Sequence, residues 1–317
     1  MTGFLVRRLL QAVVVIIGVI AVMFVLIHLI PGGEARAVLG AKATPIAIEQ
    51  FNKQNNLDLP LWDQFVRYVW NLSHFNLGRS FTLNQSVTSL IGQALPKTLV
   101  LVGLGTLLAL VIAIPLGVYQ VVRRNKPEDY VLTGVSFVLY AMPAFLLGTL
   151  LILWFAIYIP IFNTEAPQTA SIIGILSDPR AMVLPVVTLS AISIASFSRY
   201  MRSSMMETMT EDFIRTARSK GAGPRRVLYV HGLRNAIIPI ITLLGLSLGT
   251  IVSGAVITES VFNYPGMGLL VVNSALREDI PTLLGATFVI TIATIAGNLI
   301  ADILYAVADP RIRYAKS

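Results

Sequence analysis

Cysteine is absent from all 317 residues. No disulfide framework, thiolate metal site, cysteine nucleophile or chain-borne iron–sulfur cluster can therefore exist. Histidine is nearly as scarce: His28, His74 and His231 have no second histidine or carboxylate at ligand spacing within a shared helix, so no zinc motif is present and no metal is expected. Neither Gly-Lys-Ser nor Gly-Lys-Thr occurs. Without that phosphate cradle, any ATP the protein depends on must be bound by another subunit. Charge is thin as well. Asp, Glu, Lys and Arg make up 13% of the chain and apolar residues 55%, against about 25% charged in a soluble protein. This is the composition of an integral membrane protein.

A helix needs about 20 apolar residues to cross a hydrocarbon core of roughly 30 Å. Six runs qualify: residues 9–30, 98–122, 130–158, 181–198, 237–258 and 282–307. Within them the sole Asp, Glu, Lys or Arg is Asp302, as expected where a charge at the bilayer centre costs about 2.5–3.5 kcal/mol. The fold class predicted is an all-α membrane protein, a single transmembrane domain of six spans with a long segment, 31–97, between the first two. Arg7 and Arg8 ahead of the first run, with Ala35-Arg36-Ala37 after it, superficially resemble a secretory signal. A run of 22 residues exceeds the roughly 7–15 of a signal's core, so a retained span is expected.

Numbering the loops outward from the N-terminus, 16 of the 24 cationic residues fall on one side. They are Arg7, Arg8, Arg123, Arg124, Lys126, Arg199, Arg202, Arg215, Arg218, Lys220, Arg225, Arg226, Arg234, Arg311, Arg313 and Lys316. The positive-inside rule then puts both termini and the segment 199–236 in the cytoplasm, and the segment 31–97 outside. The net charge of +8 is accounted for by this topology, and no nucleic acid is needed as a partner.

Pro143, Pro185 and Pro239 lie within or at the edge of apolar runs, where each removes a backbone donor and tends to bend the helix. Bent helices suit a passage through a bundle, and equally suit kinked packing. Gly245, Gly249, Thr250, Ser253 and Gly254 form a small-residue stripe in the fifth run, suited to close helix contact or to lining a conduit. Asp302 has two readings: a proton relay, or a charge neutralised near the membrane edge. Its place about five residues from the cytoplasmic end favours the second. The span serines have no adjacent histidine and Asp302 has no second aspartate, so an intramembrane protease is not supported.

The segment 199–236 is too long for a connector and too short for a core. Its punctuation is helical. Thr208 with Glu211 forms a capping-box start, and Glu211 and Asp212 suit the positive end of the helix dipole. Arg218 and Lys220 fall in the last turn, and Gly221 can stop a helix in left-handed conformation. Gly223-Pro224 opens a second helix that leads back to the membrane at Ile237. A helical elbow with Ala217, Gly221, Ala222 and Gly223 at its turn fits a groove on another protein. For its basic residues, contact with lipid phosphate is the other reading.

At this elbow the residues resemble a known family. The run from Asp212 to Pro239 is similar to the coupling-helix signature of ABC importer permeases. Arg215-Thr216-Ala217 fall at its Glu-Ala-Ala, Gly221 at its Gly, His231 at its Ile and Leu233-Arg234 at its Leu-Pro. These departures from the general signature match the variant of the dipeptide, oligopeptide and nickel subfamily. Further stretches agree with the first of the two permeases usually paired in that subfamily. They are Arg7-Arg8 with Pro31-Gly32, Leu77-Gly78-Arg79-Ser80, Leu95-Pro96-Lys97-Thr98, Glu259 to Phe262, Tyr264 to Gly268, Arg277-Glu278-Asp279 and Asp309 to Arg313.

The resemblance implies a transport subunit of the bacterial inner membrane, not an enzyme, that forms the path for peptides. It implies partners too: a second, homologous permease, two cytoplasmic ATPases carrying ATP and Mg, an extracytoplasmic binding protein, and membrane lipid. On this reading Arg215, Thr216, Ala217, Lys220, Gly221, Ala222, Gly223 and Pro224 meet the ATPase, with Gly221 and Gly223 allowing the turn. The external segment, with Trp62, Tyr68 and Trp70, helps receive the binding protein, the contact falling at Leu77, Gly78, Arg79, Ser80 and Phe81. Those aromatics equally suit membrane anchors. The competing function is an ion-gradient-coupled secondary transporter, motivated by Asp302 and the prolines. No repeat relating spans one to three to spans four to six supports it. The cargo itself, peptide or nickel or another solute, is not readable from the chain.

Overall fold

The computed structural model describes residues 2–29, 33–40, 43–169, 171–241, 243–244 and 255–308. Among these every regular element is a helix, apart from a single β-bridge between Arg79 and Ser86. In chain order the first nine are α1 (Thr2–His28), α2 (Gly33–Leu39), α3 (Pro45–Gln54), α4 (Leu61–Ser73), α5 (Val87–Val122), α6 (Pro127–Ala141), α7 (Ala144–Ile152), α8 (Ile172–Leu176) and α9 (Pro179–Thr208). There follow α10 (Asp212–Ser219), α11 (Pro224–Arg226), α12 (Leu233–Ala236), α13 (Val256–Val261), α14 (Met267–Leu276) and α15 (Ile280–Ala308). Two π-helical stretches, Leu153–Tyr158 and Val227–Gly232, continue α7 and α11.

Three of these helices are long and apolar enough to cross a membrane: Val87–Val122, Pro179–Thr208 and the Ile280–Leu299 part of α15. The pair Pro127–Ala141 and Ala144–Tyr158 passes the same test jointly, bent by 103°. The third expected span, 130–158, is thus not straight. Met142 takes an extended conformation ahead of Pro143, where a proline disfavours helix in the residue before it and supplies no amide to carry the ladder on. Pro185 behaves differently, sitting inside the unbroken α9. Within α1 the apolar stretch is Leu10–Leu26. The fifth expected span, 237–258, falls among described residues only at its ends, and its small-residue stripe lies outside them, as does the motif 309–313. The side chain of Asp302 is likewise outside the described set.

The chain divides into two compact units, residues 1–98 with 265–295, and residues 99–264 with 296–317. In the first unit, Ile20, Leu72, Leu77, Val87, Ile91, Ala94, Met267, Ala286 and Phe288 are buried together. That packing is the reason α5 starts at Val87, 11 positions before the apolar run begins at Thr98: Val87, Ile91 and Ala94, spaced three and four apart, are recruited to the core. The Ser86 hydroxyl caps this start by accepting from the Ser89 amide at 3.2 Å. The segment between the first two expected spans is not a bare loop either. It folds as α2, α3 and α4, with Thr44 capping α3 through the Ala47 amide at 3.3 Å.

In the second unit, Asp178 caps α9 by accepting from the Ala181 amide at 3.3 Å, with Pro179 at the first helical position. Two glycines of α5 let α9 approach closely. A Cβ on Gly105 would stand 2.7 Å from the Leu189 side chain, and one on Gly117 only 2.6 Å from the Cβ of Met201 and 2.9 Å from the Ser198 carbonyl. Helix α6 is tied to α9 by an ion pair, Asp129 to Arg202, and by the Arg199 guanidinium 4.5 Å from the centre of the Tyr140 ring. Between α13 and α14, Tyr264 is fully buried. Burial, with the Glu259 charge nearby, pushes its hydroxyl pKa well above the usual tyrosine range.

Candidate coupling elbow

Helix α9 runs past its apolar stretch to Thr208, because Met201 and Met205 stay fully buried in a cluster with Val118, Ala236 and Ile240. Thr208 is therefore the last residue of one helix, not the cap of the next. The cap of α10 is Glu211, which makes no side-chain capping bond, so the expected capping box between Thr208 and Glu211 does not form. Three residues, Met209 to Glu211, turn the chain, and α10 follows.

Ile214 and Ala217 are the buried side of α10. Its end is closed by two backbone bonds, from the Ala222 amide to the Ala217 carbonyl at 3.1 Å and from the Gly221 amide to the Arg218 carbonyl at 2.9 Å. This is the six-to-one and five-to-two pairing that requires a left-handed residue between helix and exit. Gly221 supplies it with φ +80. Gly223 does not share that role: at φ −65 and ψ 156 it is extended backbone open to any residue, and a Cβ there would meet nothing within 4 Å. The expectation that both glycines permit the turn holds for Gly221 alone.

After Pro224 the chain re-enters helix, and its return arm packs back on α9. The Ser204 hydroxyl donates to the Ala236 carbonyl at 2.9 Å, while Leu228, Leu233 and Ile237 join the methionine cluster. Val227 and Gly232 are buried. The two arms and the C-terminal end of α5 therefore share one apolar core.

Of the eight residues expected at the contact, Arg215, Thr216, Lys220, Gly221, Gly223 and Pro224 are exposed and Ala222 is half-buried. Ala217 is buried with Ile214 on one side of α10 and leaves little of its side chain to present. Sequence reasoning missed Phe213, exposed beside these residues, and the exposed cations Arg218, Arg225 and Arg226 complete the patch. Phe213 is a large apolar residue about 100° from Ile214 around α10, and that angle is the signal that sets it apart from the buried Ile214. The pair Arg215–Asp212, at 3.3 Å with both side chains largely in solvent, contributes little to stability.

The five residues expected to receive a binding protein have a different arrangement. Leu77 is buried in the first unit's core, and Ser80 is buried against Asp279. The Asp279 carboxylate also accepts from the Phe81 amide at 3.2 Å, the Thr82 hydroxyl at 3.0 Å and the Thr282 hydroxyl at 2.8 Å. Arg79 turns its guanidinium to the Asn84 carbonyl, at 3.2 and 2.8 Å, and Phe81 meets Phe51 edge to face. Only Gly78, at φ +79, and Arg79 are exposed. The segment is a clasp around a buried carboxylate before it is a surface. Among the described residues no group of three or more His, Cys, Asp or Glu is placed to hold a metal.

Comparison with known proteins matches both parts of the chain. The oligopeptide transport system permease protein AppB of Bacillus subtilis is 35% identical over 316 residues, covering 99% of this chain and all of its own length. The dipeptide transport system permease protein DppB of Escherichia coli K12 is 32% identical over 339 residues, covering the whole of both. Residues 1–102 match the N-terminal family of binding-protein-dependent transport system membrane components. With residues 105–314 matching the main domain as well, the chain belongs to the family of binding-protein-dependent transport system inner membrane components.

Proposed function

We propose that this chain is one membrane-spanning subunit of an ATP-driven peptide importer. It crosses the membrane six times with both termini in the cytoplasm, pairs with a second permease and works with two ATPases and an extracytoplasmic binding protein. Solute selection at the path belongs to the permeases, and fuel to the ATPases. The full-length likeness to relatives named for oligopeptide and dipeptide transport supports the peptide cargo.

One observation carries the mechanical part: α9 and the return arm share a core with α5, and the elbow between them ends in a cationic, solvent-facing turn. A body so packed moves as a unit, so force applied at Arg215, Lys220 and the Gly221 turn reaches two spans without passing through a flexible linker. Alternating access then follows from ATP-dependent closure of the ATPases, transmitted through this foot.

The test is Gly221→Leu in the reconstituted importer. Membrane insertion and assembly should be retained, while peptide uptake and binding-protein-stimulated ATP turnover are lost. Normal uptake by a correctly assembled variant rejects the elbow as the coupling element. Uptake that stops when ion gradients are collapsed, with ATP still present, would instead identify an ion-coupled carrier.

A further inference from the structure

Helix α4 has more apolar surface than its own fold uses. At 100° per residue its side chains form three stripes. Phe65, Tyr68 and Leu72 lie on the first, which packs inward: Leu72 is buried in the core, and the Phe24 ring of α1 is 5.3 Å from Phe65 and 6.2 Å from Tyr68. Trp62, Val66 and Trp70, spaced by four, make a second apolar stripe that is 71%, 47% and 66% exposed. Asp63, Arg67 and Asn71 make a third, polar and exposed. Arg67 and Asn71 line a cleft of about 460 Å³ shared with Asn55, Asn56 and Asn76, and Trp70, last of the second stripe, borders it too; Trp62, Asp63 and Val66 lie outside it.

The second stripe has no use in water, and its position along α1 indicates what covers it. His28, in the last turn of α1, shares a hydrogen bond with Gln64 at 3.1 Å. The helical apolar stretch of α1 runs from Leu10 to Leu26, about 25 Å by helical rise, most of the thickness of a hydrocarbon core. Phe24 therefore stands in the last turn of that stretch and His28 just past it, where the helix meets the headgroups. Val22, Val25 and Leu26 beside them are exposed, as befits lipid contact, and the stripe on α4 continues an apolar surface at the same level. Its two tryptophans are the side chain most suited to that boundary.

We propose that α4 is an interfacial membrane helix: Trp62 and Val66 are seated in the lipid with Trp70 at the lipid–water boundary, while Arg67 and Asn71 face the aqueous cleft and Asp63 faces water beside it. The proposal rests on α1 being a span. A failure of that reading would appear separately, as protease access to the N-terminus from outside.

Trp62 and Trp70 are two of the three tryptophans in the chain, so Trp154→Phe in the full chain leaves every indole on α4. Reconstituted in phosphatidylcholine–phosphatidylglycerol vesicles, this variant should lose emission roughly twofold or more when the acyl chains are brominated near the headgroups, as for a helix buried about 5–10 Å. Acrylamide should have little effect. Emission insensitive to bromine and quenched by acrylamide overturns the proposal. In the assembled importer, a nitroxide on Val66→Cys should collide severalfold more with oxygen than with a water-soluble nickel chelate, and the order should reverse on Asp63→Cys. A label at position 66 shielded from both means that another subunit covers the stripe, which also overturns it.

Discussion

Arg202 of α9 grips Asp129 at the first turn of α6 with two parallel bonds, Nε to one carboxylate oxygen at 3.0 Å and Nη2 to the other at 2.9 Å. Asp129 accepts the Asn125 amide as well, at 3.2 Å, so one carboxylate fixes both the loop before α6 and the helix behind it. Asp129→Asn should cost about 2 kcal/mol, less than the roughly 3–5 of a fully buried pair because Arg202 is partly in solvent. A lower thermal midpoint of the purified chain in detergent is the expected reading. Arg202→Lys should fall in between, since an ammonium cannot span both oxygens as a guanidinium does.

The Asp279 clasp gives a second prediction. Asp279→Ala strands the Ser80 and Thr282 hydroxyls and the Phe81 amide, and should cost about 3 kcal/mol; Ser80→Ala, which removes one donor to the carboxylate and the acceptor of the Leu83 amide, should cost about 1–2 kcal/mol. Hydrogen exchange checks this locally. The Phe81 amide should exchange much faster in Asp279→Ala, with amides in the second unit unchanged.

Gly221 and Gly223 are separable. Gly221→Ala forces a side chain into left-handed backbone at a cost of about 1–2 kcal/mol, loosening the exit from α10, whereas Gly223→Ala should be nearly neutral because its backbone is extended and the space is open. Peptide uptake by the reconstituted importer should therefore drop severalfold for the first and stay near the parent for the second. Equal losses would mean that the surface at both positions is being read by a partner, and the turn itself is secondary.

A similar contrast applies to α5. Gly117→Ala drives a Cβ into Met201 and the Ser198 backbone and should destabilise by about 1–3 kcal/mol through overpacking. Gly103→Ala meets nothing within 4 Å and should be stabilising by up to about 1 kcal/mol from helix propensity. Thermal midpoints in detergent would order the two around the parent.

The long apolar runs and the left-handed stop at Gly221 were legible in the sequence, because each rests on local chemistry: twenty apolar residues in a row, or a glycine after a basic last turn. What was not legible depends on contacts far apart in sequence. The start of α5 has local signals, a Ser86 cap and the three- and four-residue spacing of Val87, Ile91 and Ala94; what the sequence does not show is the core near position 286 against which they are buried. Thr208 and Glu211 have the spacing of a capping box, yet buried Met201 and Met205 carry the preceding helix through the cap position. Ala217 matched a signature as a contact residue and is buried instead, and Ser80 proved to be a partner of a carboxylate 199 positions away.

Helix α9 holds its 30 residues without interruption, Pro185 included. A rod of that kind is roughly 45 Å from end to end, so that a tilt of about 5° about one tip displaces the other by about 4 Å. Under the coupling proposed for the elbow, ångström-scale travel at that end would be converted into motion at the far end by leverage alone, with no joint along the shaft having to bend.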